Sequence, residues 1–532
     1  MNSKPYKTEI TYLGPPGTGK TQNNSNLVRN CIEEGIAPDR IANVSFTRRA
    51  ARECRERVHK DWGLEQDTLP FFQTLHSMAF RAGGYKKDDV IGVKDLRAIG
   101  DYLGLTFSFP DRSAETDIDR FGMITEGDKY LNLYSYARSI CQSYEERFRL
   151  LGDYDLKWPI LSRFVATYED YKRTNQKIDF TDMIEEFIAM DECPPIDALF
   201  VDEAQDLSTL QWKMIDVLRR RAFTQVFSGD DDQAIMSFAG ADVGAFQRCT
   251  EKKQVLTQSY RIPRAIYELA NMVSSRIVNR VPKEWRPTKE KGAIFEHMGL
   301  DSIPLEQGEW LLMTRTNRLA HAYGIRLRQQ GLIYQDRHGN PSIPSKLFDA
   351  IVDWEAWLRG AKILPSQIKG IYSYMKSGVG YCRGFGPNSK NLLELDANIP
   401  LTMEEARTSA GLTAPKEMWK LVMTGRNIDE ETKQYILSAR RREDNVKKPR
   451  ITISTIHSMK GAERDNVILV PELNWRSYKG YQTDPDPEHI HEWPKNIQVR
   501  YLKCLKISLT NRFGLLPRSS QTCRTRQSWR LT

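Results

Sequence analysis

Eight consecutive residues near the start of the chain, Gly14-Pro15-Pro16-Gly17-Thr18-Gly19-Lys20-Thr21, have the G-x-x-x-x-G-K-[ST] spacing that cradles nucleotide phosphates. Its glycines let backbone N–H groups close around phosphate oxygens. Lys20 would reach the β- and γ-phosphates, and the Thr21 hydroxyl would bind magnesium. A pair of acids fits the same chemistry: Leu199-Phe-Val-Asp202-Glu203 ends an apolar run on two adjacent carboxylates. Asp202 would hold the magnesium ion, directly or through water. Glu203 would orient and deprotonate the attacking water.

Such a loop needs a strand before it and a helix after it. Glu9–Leu13 is the β-branched and aromatic run for the strand, and the chain from Thr21 onward reads as the helix. Arg40–Phe46 is expected to form a second strand and Arg48–Lys60 a charged helix. The stretch from about 85 to 175 is rich in aromatics and charges at helical spacing, with Tyr130–Leu151 and Trp158–Lys172 as two long helices. Asp197–Val201 and Gln225–Ser228 have the apolar character of buried parallel strands. Ala293–His297 and Trp310–Thr314 resume that pattern, followed by a helix over Asn317–Gln330. Between about 335 and 447 the alternation lapses, and Arg441–Lys448 reads as a linker or solvated face. Arg450–Ser454 and Asn466–Pro471 return to buried strands. The pattern implies an α/β protein with two cores, each interrupted by a mainly helical insertion.

Composition agrees. Of 532 residues, 40% are hydrophobic and 28% charged, enough for packed cores, and with a mean hydropathy of −0.56 the chain reads as globular rather than disordered or membrane-embedded. No apolar run approaches the roughly 20 residues of a membrane helix. Residues 1–8 lack the apolar centre of a secretion signal, so a cytoplasmic location is expected. The net charge of +9 is compatible with a phosphate-backbone partner, although many proteins without one share it. Eight cysteines form no Cys-x-x-Cys pair, which argues against a zinc site or a disulfide framework. His489-Ile-His491, without further ligands nearby, reads as a solvated loop.

Several further segments, in order along the chain, carry a family resemblance. Asp202-Glu-Ala-Gln-Asp206 resembles the D-E-x-Q-D motif of UvrD/Rep-type superfamily 1 DNA helicases. Ser45–Arg57 is similar to motif Ia of that family, Thr74–Ala79 to motif Ib, and Ile178–Met183 to the segment preceding motif II. Gly229-Asp-Asp-Asp-Gln233, continuing to Ala241, resembles motif III; Gln258-Ser-Tyr260-Arg261 resembles motif IV; Thr455–Glu463 resembles motif V. The resemblance implies two RecA-like P-loop NTPase domains. Domain 1A would take residues 1–80 and 176–262, with helical insertion 1B at 81–175; domain 2A would take 263–334 and 448–532, with a reduced accessory insertion 2B at 335–447.

The resemblance also implies roles. Gln233 would contact the γ-phosphate, Arg261 would act as an arginine finger, Tyr260 would stack on the base, and Glu463 would accept a hydrogen bond from the ribose. Thr47, Arg48, His76 and His457 would line a single-strand path, with Phe238 where the family has a base-stacking tryptophan. On the residues alone, core packing for Phe238, local hydrogen bonding for both histidines and a solvated face for the basic helix stay open. The implied activity is ATP- and Mg2+-dependent translocation and unwinding, 3′-to-5′, on single-stranded DNA and duplex junctions, by a monomer or weak dimer. Two alternatives are a nucleotide- and DNA-binding protein with impaired ATPase, and a translocase that does not unwind.

Three departures stand out. No glutamine precedes Gln22, although the family reads adenine with one upstream of the phosphate loop. Motif III reads Met236-Ser-Phe238-Ala-Gly-Ala where Y-x-W-R-G-A is usual. The motif VI pattern Y-V-x-x-T-R-A is absent: the region reads Tyr501-Leu-Lys-Cys-Leu-Lys-Ile-Ser-Leu-Thr510-Asn511-Arg512, leaving Arg512 as the nearest candidate for a second arginine finger. Divergence and a shifted reading frame after about Pro494 both account for this, and the tail Pro517–Thr532 has no strand-like pattern.

Overall fold

The computed structural model describes residues 8–45, 48–63, 68–108, 125–151, 156–277, 279–296, 299–425, 428–442, 446–460, 462–470 and 512–515; for residues 48–50, 53, 61–62, 151, 238, 296 and 512–515 it describes the backbone only. Expectations for Thr47, the 501–511 stretch, the His489/His491 pair and the tail lie outside the described residues. The fold is mixed α/β and divides into two compact units. The first is built on residues 8–294 with Ile456–Glu463, the second on residues 295–455 with 464–470.

Six strands form the sheet of the first unit: β1 (Thr8–Leu13), β2 (Ile41–Ser45), β3 (Phe72–Thr74), β4 (Ala198–Asp202), β5 (Thr224–Gly229) and β6 (Lys253–Val255). They are all parallel, in the order β3-β2-β4-β5-β1-β6. Parallel strands need cover on both faces, and alternation along β4 provides it. Leu199 and Val201 join a core with Val44, Ile215 and Phe227; Ala198 and Phe200 join Ile10, Val28, Ile41 and Val226 on the other face. Because β5 lies between β1 and β4, the carboxyl ends of these three strands bring Gly14, Asp202 and Asp230 side by side. Ligands bind at this edge of such sheets.

Between β3 and β4 the chain leaves the sheet. Helices Val93–Leu103, Glu126–Ser139, Tyr144–Leu151 and Trp158–Asn175 pack around buried Ile99, Tyr130, Leu161, Phe164 and Tyr168. The single helix expected over Tyr130–Leu151 is two helices. Cys141 takes a left-handed φ of 56°, and the Ser143 hydroxyl accepts from the Glu146 N–H at 3.1 Å, starting a new helix. Entry to and exit from this helical lobe are tied together: Ile91 N–H donates to Ile178 O, and Ile178 N–H to Asp89 O, both at 2.8 Å.

A buried charge cluster fastens the lobe to the next helix, Phe180–Met190. Asp179 caps that helix by accepting from the Thr181 and Asp182 N–H groups, each at 2.8 Å. Arg138 of the lobe reaches Asp179 at 3.0 Å, Asp182 at 2.6 Å and Glu185 at 2.5 Å; Lys172 reaches Asp179 at 3.2 Å and Asp182 at 2.9 Å. Burial pushes the Asp179 carboxyl up, but Arg138 and Lys172 outweigh it and hold the group below the usual carboxylate range.

The second unit carries β7 (Ile294–Glu296), β8 (Trp310–Thr314), β9 (Tyr334–Gln335), β10 (Ile451–Thr455), β11 (Asn466–Leu469) and β12 (Arg512–Leu515), ordered β7-β12-β11-β8-β10-β9. Its inserted helices, among them Ser345–Leu358, Pro365–Tyr372 and Glu430–Arg441, enclose a separate core around Trp354, Trp357, Trp419 and Tyr372. Each of these indoles or phenols that is hydrogen bonded finds a carbonyl: Trp354 to Glu417 O at 2.9 Å, Trp357 to Leu401 O at 3.0 Å and Tyr372 to Ala410 O at 3.0 Å. Among the described residues, no helix is long and apolar enough to cross a membrane.

Candidate active site

The phosphate loop runs from the end of β1 into helix Lys20–Glu33, with Gly19 as a left-handed cap at φ 80°. Thr18 Oγ1 donates to Pro15 O at 2.7 Å and Gly14 N–H to Gly229 O at 2.8 Å, so the loop is tied to itself and to β5. The motif IV segment closes one side: Tyr260 N–H donates to Gly17 O and Ser259 Oγ to Pro16 O, both at 2.8 Å. Only glycine fits at 17, where φ is +71° and a Cβ would come within 2.4 Å of Arg261 Cβ. Tyr260 is 78% exposed.

Lys20 Nζ donates to Gly14 O at 3.1 Å and lies 3.6 Å from Glu203. Asp202 is buried and accepts from Ser228 Oγ at 3.2 Å, while Asn24 Nδ2 donates to the same hydroxyl at 2.6 Å. Glu203 follows with φ 52°, a conformation rare outside glycine and one that turns the side chain out of the strand direction. Gln205 Nε2 bridges Glu203 at 2.6 Å and Asp206 at 3.2 Å, and its Oε1 accepts from the Asp230 N–H at 3.0 Å. A Cβ at Gly229 would sit 2.3 Å from that Oε1, so this bridge requires glycine there. Gln233 then donates to Asp230 at 2.7 Å.

Lys460, from the Ile456–Glu463 segment, pairs with Asp206 and lies 3.5 Å from Glu203. Arg261 Nε meets Glu463 at 2.5 Å. Charge is thus divided unequally among the acids. Burial and the neighbouring Glu203 charge push Asp202 up to about 6; burial pushes Asp206 up to about 6 against the pull of Lys460. Glu203 also feels burial, but Lys20 and Lys460 overcome it and bring the group down to about 2. Glu203 therefore stays anionic to lower pH than Asp202 or Asp206. The Thr21 hydroxyl and Asp202 carboxylate are hard oxygen donors of the kind Mg2+ takes, and Asp206 Oδ1 is buried with no hydrogen-bond partner among the described residues, so the residues present fit the ion.

The sequence-derived residues Lys20, Asp202, Glu203, Gln233, Tyr260, Arg261 and Glu463 thus fall within one connected set of contacts. His76 stands on helix Leu75–Ala82, edge-on to Phe180 with ring centroids 5.8 Å apart, and His457 is partly buried. Arg48 opens helix Arg48–Trp62, Phe238 falls in the turn Ser237–Ala239, and Arg512 begins β12; their side chains are outside the described set. Sequence reasoning missed Lys460, the Asn24–Ser228 pair behind Asp202, and Arg280 and Lys283, which meet the acids of motif III. A lysine inside a conspicuous motif was the one available signal for Lys460.

Comparison with known proteins finds similarity to helicases. Residues 2–254 match the family model of the UvrD/REP helicase N-terminal domain. The chain is 26% identical over 393 residues to the ATP-dependent DNA helicase PcrA of Bacillus subtilis, a match covering 69% of this chain and 51% of that protein. It is 27% identical over 311 residues to PcrA of Staphylococcus epidermidis, covering 53% and 41%, and 24% identical over 334 residues to PcrA of Leuconostoc citreum, covering 55% and 41%. The chain spans about half the length of the curated relatives it matches. Over residues 2–254 the chain thus resembles the N-terminal domain of UvrD/REP helicases, and over a longer stretch it is similar to helicases of the UvrD/Rep type.

Proposed function

We propose that the protein is an ATP-dependent DNA translocase and helicase that moves 3′-to-5′ on single-stranded DNA and acts at duplex junctions. The observation that carries this reading is the gathering of Lys20, Asp202, Glu203 and Gln233 at the carboxyl ends of three adjacent parallel strands. The relatives' printed name, ATP-dependent DNA helicase, supports the same activity. Mg2+ held by Thr21 and Asp202 would supply charge neutralisation at the phosphates. Lys20 would leave Gly14 O for the β- and γ-phosphates, Glu203 would take the proton of the attacking water, and Gln233 would register the γ-phosphate. Arg261 would exchange Glu463 for the developing phosphoryl charge, freeing Glu463 for the ribose. Tyr260 would stack on the base. Thr47, Arg48, His76, Phe238 and His457 would contact the strand, and Arg512 would serve as the second arginine. In this reading residues 1–80 and 176–262 form domain 1A, 81–175 insertion 1B, 263–334 and 448–532 domain 2A, and 335–447 insertion 2B.

The test measures ATP hydrolysis with and without single-stranded DNA for the wild type, Lys20→Ala and Arg512→Ala. DNA-stimulated turnover that is lost in Lys20→Ala is expected. Absence of stimulation in the wild type would instead indicate a nucleotide- and DNA-binding protein with impaired turnover, and an unaffected Arg512→Ala removes the second finger. Displacement of 3′-tailed but not 5′-tailed duplexes is expected; hydrolysis without displacement would identify a translocase that does not unwind.

A further inference from the structure

Three consecutive acids, Asp230, Asp231 and Asp232, follow β5, and all three are buried. Like charges this close are costly unless compensated. The compensation comes from a segment with no recognised motif. Lys283, its side chain fully buried, lies 2.9 Å from Asp230, 3.4 Å from Asp232, and in contact with Asp231. Arg280 clamps Asp232 with two bonds, Nε at 2.9 Å and Nη2 at 2.7 Å. The Val281 N–H and the Gln247 amide both donate to Asp231, at 2.7 and 2.9 Å. Removing Lys283 would leave three anions facing one guanidinium.

The position of Asp230 gives this hub a bearing on catalysis. One carboxylate oxygen faces Lys283 Nζ at 2.9 Å; the other accepts from Gln233 Nε2 at 2.7 Å. The Asp230 N–H in turn donates to Gln205, the residue that also bridges Glu203 and Asp206. The lysine therefore fixes the carboxylate that aims the Gln233 amide, leaving its second N–H and its carbonyl for ligand. We infer that Lys283, seconded by Arg280, is a positioning residue for Gln233, holding the γ-phosphate sensor in its working orientation from outside every recognised motif. Among the described residues neither cation is hydrogen bonded to Gln233, and both act through the Asp230–Asp232 loop. The inference rests on the proposed ATP hydrolysis, since a positioning role needs a reaction to position for.

The test compares Lys283→Met, Lys283→Arg and wild type in the full chain. It reads kcat and KM for ATP with single-stranded DNA, affinity for a fluorescent ADP analogue, and amide hydrogen exchange over residues 228–236. A misdirected catalytic amide costs on the order of tenfold to a hundredfold in rate. Lys283→Met is expected to lower kcat at least tenfold, to leave KM and ADP-analogue affinity within threefold, and to speed exchange in the loop. Lys283→Arg is expected to recover kcat to within threefold of wild type. A Lys283→Met kcat within twofold of wild type, a loss confined to KM, or a Lys283→Arg variant as impaired as Lys283→Met each overturns the inference. Should Lys283→Met yield no soluble chain, Lys283→Gln is read by the same criteria. A wild type without ATPase activity refutes the proposed function instead, and loop exchange in the variants still decides whether Lys283 orders the sensor.

Discussion

Replacing Arg138 with methionine tests how the helical lobe is held to its sheet. The substitution keeps much of the side chain's apolar length and removes the guanidinium that reaches Asp179, Asp182 and Glu185 at 3.0, 2.6 and 2.5 Å. Breaking one side of a buried ion pair costs about 3–5 kcal/mol. Two features reduce that figure: Lys172 still pairs with Asp179 and Asp182, and Glu185 is 41% exposed, so its bond is screened. A loss of about 2–3 kcal/mol is expected, which for a unit of this size lowers the melting temperature by roughly 4–12 °C. The pH dependence has a definite sign. Asp179 is depressed in the fold, so its stabilisation is complete above the unfolded carboxylate value and is lost as pH falls through the lower folded value. Wild type and Arg138→Met should therefore differ most near neutrality and converge in acid. Calorimetry on both proteins across pH 3 to 8, in steps of about one unit, measures this. Equal melting temperatures at neutral pH, or a gap that widens in acid, would refute the reasoning.

Two further outcomes follow from packing. Trp354→Ala empties a fully buried site in the inserted core of the second unit and should cost about 3–5 kcal/mol, read as a lowered second-unit transition in calorimetry with ADP-analogue affinity unchanged. Gly17→Ala adds a Cβ 2.4 Å from Arg261 Cβ at a φ of +71°; the left-handed conformation alone costs an alanine about 1–2 kcal/mol, so nucleotide affinity measured by fluorescence titration should fall roughly tenfold.

Local patterns were the ones the sequence made legible. The phosphate loop and Asp202-Glu203 declare themselves because their spacing is short and their flanking strands are uniformly apolar: β4 and β8 emerge within a residue of their expected limits. Short strands carried too little signal, so β3, β6 and β9, of three, three and two residues, went unread. The break at Cys141 was hidden because nothing in Ser139-Ile-Cys-Gln142 is a strong helix breaker; the turn is imposed by the fold and by the Ser143 cap. Charge partners were hidden by distance along the chain. Lys283 lies 52 residues from Asp231 and Lys460 lies 254 from Asp206, and no periodicity links such positions. Arg280 and Lys283, the cations that meet the motif III acids, lie in the same compact unit as those acids.

The paired hydrogen bonds between Asp89, Ile91 and Ile178 make the helical lobe a side branch rather than a link in the main fold. A branch whose two ends are already neighbours can lengthen, shorten or melt without shifting the strands on either side of it. Closing a loop of that length costs on the order of 4 kcal/mol and changes only logarithmically as residues are gained or lost. Chain length here is thus nearly free to vary over evolutionary time, while β3 and β4, and the carboxylates at the end of β4, stay in register. The Arg138 cluster adds what the neck cannot, a fixed orientation, so inheritance of the lobe's angle depends on a handful of charges and inheritance of its size on almost nothing.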